Sequence, residues 1–148
     1  MIETMPTADV ANAERFERTG VAATPRYAAS LRDEFARWLG RFFDLDPTRS
    51  SDLVLAINEA LANCAEFAYI AHDDEGTMDL TARHDFTDSS ITVVIADRGE
   101  WRMSDAQGGS RTRGRGIPLM RALSDLTAIE TSGGGTTVRM VWTGVPRR

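Results

Sequence analysis

Glu59 and Asn63 stand four residues apart in a stretch that is otherwise almost wholly apolar, with Leu53, Val54, Leu55, Ala56 and Ile57 before them and Leu61, Cys64, Ala65 and Phe67 around and after. The run is too long for a strand and rich in Leu and Ala, so it predicts a helix. Residues four apart share a helix face, which aligns the Glu59 carboxylate with the Asn63 amide, and Glu66 continues the stripe. Polar groups on a mostly buried helix cost free energy unless they find partners. Oxygen atoms so placed suit a Mg²⁺ ion with its waters, or a hydroxyl that must lose a proton. The same stripe also reads as the solvated side of a half-exposed helix.

Further segments bear on chemistry. Asp97-Arg98-Gly99 follows an apolar run, so a carboxylate emerges at a strand end beside a flexible glycine. It can accept a base's exocyclic amine, with Gly99 allowing close approach, or it is an ordinary strand exit. Gly114-Arg115-Gly116-Ile117 opens a predicted helix, and Arg111, Arg113 and Arg115 add charge beside its exposed N–H groups. That composition makes an anion site, or else a flexible, solubilising loop. Gly135-Thr136-Thr137-Val138 begins the last predicted strand and is by itself a hairpin signal.

The elements that position these residues follow from periodicity. Residues 1–13 read as a weakly ordered N-terminus, 14–145 as one domain and 146–148 as a tail. Glu14–Ala23 predicts an edge strand. After Pro25, Tyr27, Leu31, Phe35, Trp38, Leu39 and Phe42 form a helical stripe ending near Phe43. Ser50 or Ser51 caps the second helix, with Asp52 in its first turn, and it runs to about Tyr69 or Ile70. His72–Thr77 is a loop. Met78–Phe86 alternates as a half-buried strand, and His84 falls on its apolar side as a packed core residue. Asp88-Ser89-Ser90 is a turn, and Ile91–Ala96 a strand covered on both faces or nearly so. Glu100–Arg115 is a long loop, Gly116–Ser124 a short helix with Pro118 in its first turn, and Leu126–Thr131 with Thr136–Thr143 a closing hairpin. The order predicts an α+β two-layer sandwich: a mixed sheet covered on one face by about three helices.

Composition narrows the classes. The chain has 148 residues and a net charge of −5, which argues against non-specific nucleic-acid binding. No run is long and apolar enough to span a bilayer, and Met1–Arg18 has no apolar signal region, so a cytoplasmic protein is expected. Cys64 is the single cysteine, which rules out an intrachain disulfide, and it reads as a small core residue. Every Lys+Arg residue is Arg, which excludes Schiff-base chemistry and a Walker A lysine.

In order, these motifs are E-x-x-x-N on a helix, D-x-G after a strand, G-x-G-I-x-L-M at a helix start and G-T-x-V on the last strand. This resembles the Bergerat-fold (GHKL) ATPase superfamily, and more closely the stand-alone serine-kinase anti-sigma factors of bacterial stress and sporulation switches. The similarity covers about Pro25 to Trp142. It implies that Glu59 is the general base toward a substrate serine, Asn63 the Mg²⁺ ligand and Asp97 the adenine-reading carboxylate, with Gly99 beside it and Thr136 supporting that contact through water. It places Gly114, Arg115, Gly116 and Ile117 at the phosphate-wrapping end of an ATP lid. It also implies ATP/ADP and Mg²⁺ as ligands, an alternative sigma factor and a STAS-type anti-sigma factor antagonist as partners, and a homodimer formed through the sheet, with neither nucleic acid nor membrane bound directly. Departures stand at Phe67-Ala68, where relatives often have His-Gly, and at Trp101, where a small residue is common. They motivate an alternative: a nucleotide-gated adaptor of the same fold without useful kinase activity.

Overall fold

The computed structural model describes residues 13–66, 76–99 and 111–148, with the side chains of 111–115 left out. The expectations for the N-terminus, Phe67-Ala68, the helix end at Tyr69 or Ile70, most of the His72–Thr77 loop, Trp101 and the Glu100–Ser110 loop lie outside the described residues.

Strand β1 (Arg15–Ala22) leads into helix α1 (Pro25–Phe42). Thr24 caps α1, its hydroxyl accepting the Tyr27 N–H at 3.3 Å, and Pro25 supplies a preset φ at the first helical position. The expected stripe is buried at Leu31, Phe35, Trp38 and Leu39, whereas Tyr27 stands half exposed. Helix α2 (Pro47–Glu66) begins earlier than Ser50 or Ser51. Asp46 caps it, accepting the Arg49 N–H at 2.7 Å, and Pro47 follows as the favoured first residue.

The remaining elements are β2 (Thr77–Asp85), β3 (Ser90–Asp97), α3 (Arg111–Leu123), β4 (Leu126–Ser132) and β5 (Gly135–Trp142). The five-stranded sheet has the order β1-β2-β3-β5-β4, and every neighbouring pair is antiparallel, where a mixed sheet was expected. The reason is topological. Crossing over through α3 returns β4 in the same direction as β3, but the tight β4–β5 hairpin inserts β5 between them.

The three described helices share one core with one face of the sheet. Across β2, β3 and β5, register places His84–Ile91–Trp142, Ala82–Val93–Met140 and Leu80–Ile95–Val138 in rows, all buried against the helices. The next row is Met78–Asp97–Thr136, so the same inward face ends on a carboxylate and a hydroxyl. On the opposite face Thr92, Val94 and Ala96 are only half-buried, so β3 alternates and is covered on one side rather than both.

His84 is the core residue expected. Its Nε2 lies 2.8 Å from the Val145 carbonyl, and its Nδ1 accepts from Arg147 at 3.2 Å, so the ring proton sits on Nε2. At the C-terminal tail Arg147 bridges to Phe43, and the Asp44 N–H donates to the Pro146 carbonyl at 2.8 Å.

Candidate functional site

Helix α2 carries Glu59 and Asn63 onto the side that faces α3, as their spacing predicts. Gly116 of α3 sits against both: a Cβ there would lie 3.3 Å from Asn63 Nδ2 and 3.5 Å from Glu59 Oε1. Asn63 is buried, and its Nδ2 has no hydrogen-bond partner among the described residues. Burial of such a group without a partner costs about 1–3 kcal/mol, so a missing partner is the natural reading. Glu59 is half-buried, and desolvation together with the nearby Glu66 carboxylate raises its pKa above the ordinary 4.5.

A second cluster lies at the polar end of the sheet's inner face. Asp97 and Thr136 are register partners across β3 and β5, both buried, and Thr136 Oγ1 is a further buried atom without a partner among the described residues. The Gly99 N–H donates to Asp97 Oδ1 at 3.0 Å, closing the turn after β3. The Cys64 thiol donates to Asp97 Oδ2 at 3.3 Å. Because Cys64 follows Asn63 directly on α2, this bond joins the two clusters into one site. Burial, then the Asp97 charge and hydrogen bond, push the thiol pKa well above its usual 9.0, so it stays protonated and able to donate.

Gly135 fixes this arrangement from the other side. It adopts φ +140, and a Cβ would overlap the Asp97 carbonyl oxygen and lie 2.8 Å from Arg98 Cα. Only glycine lets β5 approach the Asp97 backbone so closely.

The structure thus brings together Glu59, Asn63, Asp97, Gly99, Gly116 and Thr136. It differs at the glycine-rich segment. Gly114, Arg115, Gly116 and Ile117 were expected as a turn at a helix start, but α3 already runs from Arg111, and Pro118 lies in its interior. Gly116 contributes the missing side chain that lets α3 rest on Glu59 and Asn63, while Ile117 packs against the core. Sequence reading passed over Cys64, taken as core, and Gly135, taken as a hairpin residue. The signals available were the position of Cys64 beside Asn63 and that of Gly135 beside Thr136.

A groove of about 670 Å³ between β1 and α1, lined in part by Arg18, Glu34, Arg37 and Trp38, lies elsewhere, and the Arg18–Glu34 pair at 2.7 Å already satisfies part of its charge. The unpaired buried atoms point instead to the Asn63 and Thr136 ends; the third, Arg147 Nη2, faces Glu14 at 3.6 Å.

Residues 21–142 match the family described as histidine kinase-like ATPase domain. The chain belongs to that family. The crystal structure of the RsbU and RsbW domains of Rv1364c from Mycobacterium tuberculosis has the same fold, with a TM-score of 0.67 and 22% identity, over 88% of this chain. The present chain spans 32% of the length of that one. A histidine kinase-like ATPase domain takes a nucleotide, and the orphaned Asn63 atom beside the side-chain-free Gly116, with the orphaned Thr136 hydroxyl on the strand paired with Asp97, fits that use.

Gly116→Ala separates stability from function in this ATPase domain. Alanine in a helix interior is favoured over glycine by about 1 kcal/mol, whereas the added methyl crowds Asn63 and Glu59. Thermal melting is expected to hold or rise while nucleotide affinity falls several-fold, as calorimetry on the two proteins would measure.

Proposed function

We propose that this histidine kinase-like ATPase domain is an ATP-dependent protein-serine kinase and an anti-sigma factor. It binds and silences an alternative sigma factor, and phosphorylates a serine on a STAS-type antagonist that otherwise frees that sigma factor. The observation that carries this reading is the single site made by Glu59–Asn63 on α2 and Asp97–Thr136 on the sheet, coupled through Cys64.

In this reading Asp97 accepts the adenine amine, Gly99 keeps the backbone clear of the base, and Thr136 supplies the hydroxyl that holds a bridging water. Asn63 offers its amide oxygen to Mg²⁺. Mg²⁺ commonly keeps several waters and takes only one or two protein ligands besides substrate phosphates. Bound Mg²⁺ would neutralise charge on the transferring phosphoryl group. Gly114, Arg115, Gly116 and Ile117 lie where α3 meets the phosphate end. Glu59 takes the serine proton as the hydroxyl oxygen bonds to the γ-phosphorus and the bond to ADP breaks. Placement supplies most of the rate in such a site.

The partners are proteins, a second copy of this chain among them, and the protein acts in the cytoplasm. No helix among the described residues is long and apolar enough to cross a membrane.

One observation favours the alternative of a nucleotide-binding interaction module without transfer: the segment expected to wrap phosphates is helical. Incubating the chain with Mg-ATP and a STAS-type antagonist decides between them. Serine phosphate that disappears in Glu59→Gln supports the kinase; tight nucleotide binding with no phosphate on any serine supports the module.

A further inference from the structure

Asp97 has its two carboxylate oxygens held from two directions. The Gly99 N–H reaches Oδ1 at 3.0 Å from its own turn, and the Cys64 thiol reaches Oδ2 at 3.3 Å from helix α2. The thiol is fully buried and is the only cysteine of the chain. A cysteine retained merely to fill space would leave its S–H pointing at apolar neighbours; this one spends it on a carboxylate. Beside the pair, Thr136 Oγ1 and Asn63 Nδ2 are buried without partners among the described residues, so the assembly faces an incomplete polar shell.

We infer that Cys64 is a positioning residue for base selection: its S–H clamps the Asp97 carboxylate in the rotamer that receives an exocyclic amine. This rests on the proposed function, in which Asp97 reads adenine. The chemistry is one of donors and acceptors. An ionised carboxylate can only accept, so it welcomes the amine of adenine and repels the carbonyl oxygen that guanine presents at the same place. The discrimination is sharp only while the carboxylate stays put. Without the thiol the side chain keeps the Gly99 contact at Oδ1 but loses a donor at the buried Oδ2, and is freer to pivot. The thiol is suited to the task because it donates weakly, fixing the oxygen without consuming the lone pair that the base needs.

The test has a structural and a functional arm. The S–H stretch falls in an infrared window free of other protein bands, and a single cysteine gives a single signal. In the wild type it is expected to lie at the lower frequency of a hydrogen-bonded thiol, and in Asp97→Asn to shift. Calorimetry then compares ATP, ADP and GTP on the wild type, Cys64→Ser and Cys64→Val. Loss of a hydrogen bond to a charged group should weaken ATP and ADP alike by about tenfold in Cys64→Val and narrow the ATP-over-GTP preference, with Cys64→Ser restoring both. A purely packing role would give the reverse order, with Val tolerated and Ser disfavoured. A thiol band that is the same in Asp97→Asn overturns the inference even if a Cys64 variant fails to fold. Wild-type protein that binds ATP while Cys64→Val keeps full affinity and selectivity refutes the Cys64 role alone. Wild-type protein that binds no nucleotide refutes the proposed function and this inference with it.

Discussion

On the proposed mechanism, Glu59→Gln is expected to bind Mg-ATP as the wild type does, to melt at the same temperature or higher, and to lose most of its phosphate transfer to serine. The expected loss in rate is about 10²–10⁴-fold, the usual contribution of a positioned general base. The retained stability follows from linkage. Burial and Glu66 raise the folded-state pKa of Glu59 above 4.5. Between the unfolded and the folded pKa the native state therefore binds more protons than the unfolded chain, and stability falls as pH rises through that window. Above it the ionised Glu59 is a cost to the fold that glutamine removes, so the variant's advantage is present at neutral pH and vanishes in acid. Activity has the opposite sign. In its proposed role as general base Glu59 must be ionised to accept a proton, so the rate is expected to fall as pH drops through the raised pKa, and Glu66→Gln to move that acid limb to lower pH. Rate–pH profiles of wild type and Glu66→Gln, with denaturant melts of Glu59→Gln at several pH values, check both signs.

Gly135→Ala is the substitution expected to damage the fold and the site together. The added Cβ would overlap the Asp97 carbonyl oxygen and press on Arg98 Cα, at a φ of +140 that L side chains rarely adopt. Backbone strain of that kind costs about 1–3 kcal/mol on its own, and the overlap adds to it because backbone cannot step aside as a side chain can. A destabilisation of about 3 kcal/mol or more is expected, read from the urea midpoint. Relief requires β5 to part from β3 at the Asp97–Thr136 pair. Nucleotide affinity should then fall further than in Thr136→Ala, which removes one hydroxyl and leaves the backbone alone. Equal affinity in Gly135→Ala and the wild type would mean that the close approach of these strands is immaterial to the site.

Much of this arrangement is legible in the sequence because it depends on local period. Four-residue spacing puts Glu59 and Asn63 on one helix face whatever the helix packs against. Strand alternation carries inward direction from Ile91, Val93 and Ile95 to Asp97, and from Val138 back to Thr136. What stayed hidden is non-local. The insertion of β5 between β3 and β4 decides whether the sheet is mixed, and no residue in either strand encodes its neighbour. The Cys64–Asp97 bond joins residues 33 apart in sequence, so the cysteine reads as core until α2 is laid on the sheet. Gly135 reads as a turn residue until the Asp97 backbone is placed beneath it. The start of α3 was missed for a different reason: Arg111–Arg115 carries no apolar period, and its glycines read as loop. Asp46 and Pro47 made a better start for α2 than the serines, because a capping aspartate followed by proline satisfies the first free N–H while costing none.

One site, formed by Asp97 on the sheet and Asn63 on α2, is proposed to hold the two ends of Mg-ATP. Calorimetric titration of ATP, with and without Mg²⁺, into wild type, Asp97→Ala and Asn63→Ala tests it most directly. The account predicts binding by the wild type that tightens with Mg²⁺, near-complete loss in Asp97→Ala, and in Asn63→Ala binding that no longer responds to the metal. A wild type that binds no ATP, or an Asp97→Ala protein that binds it as well as the wild type, would contradict the account.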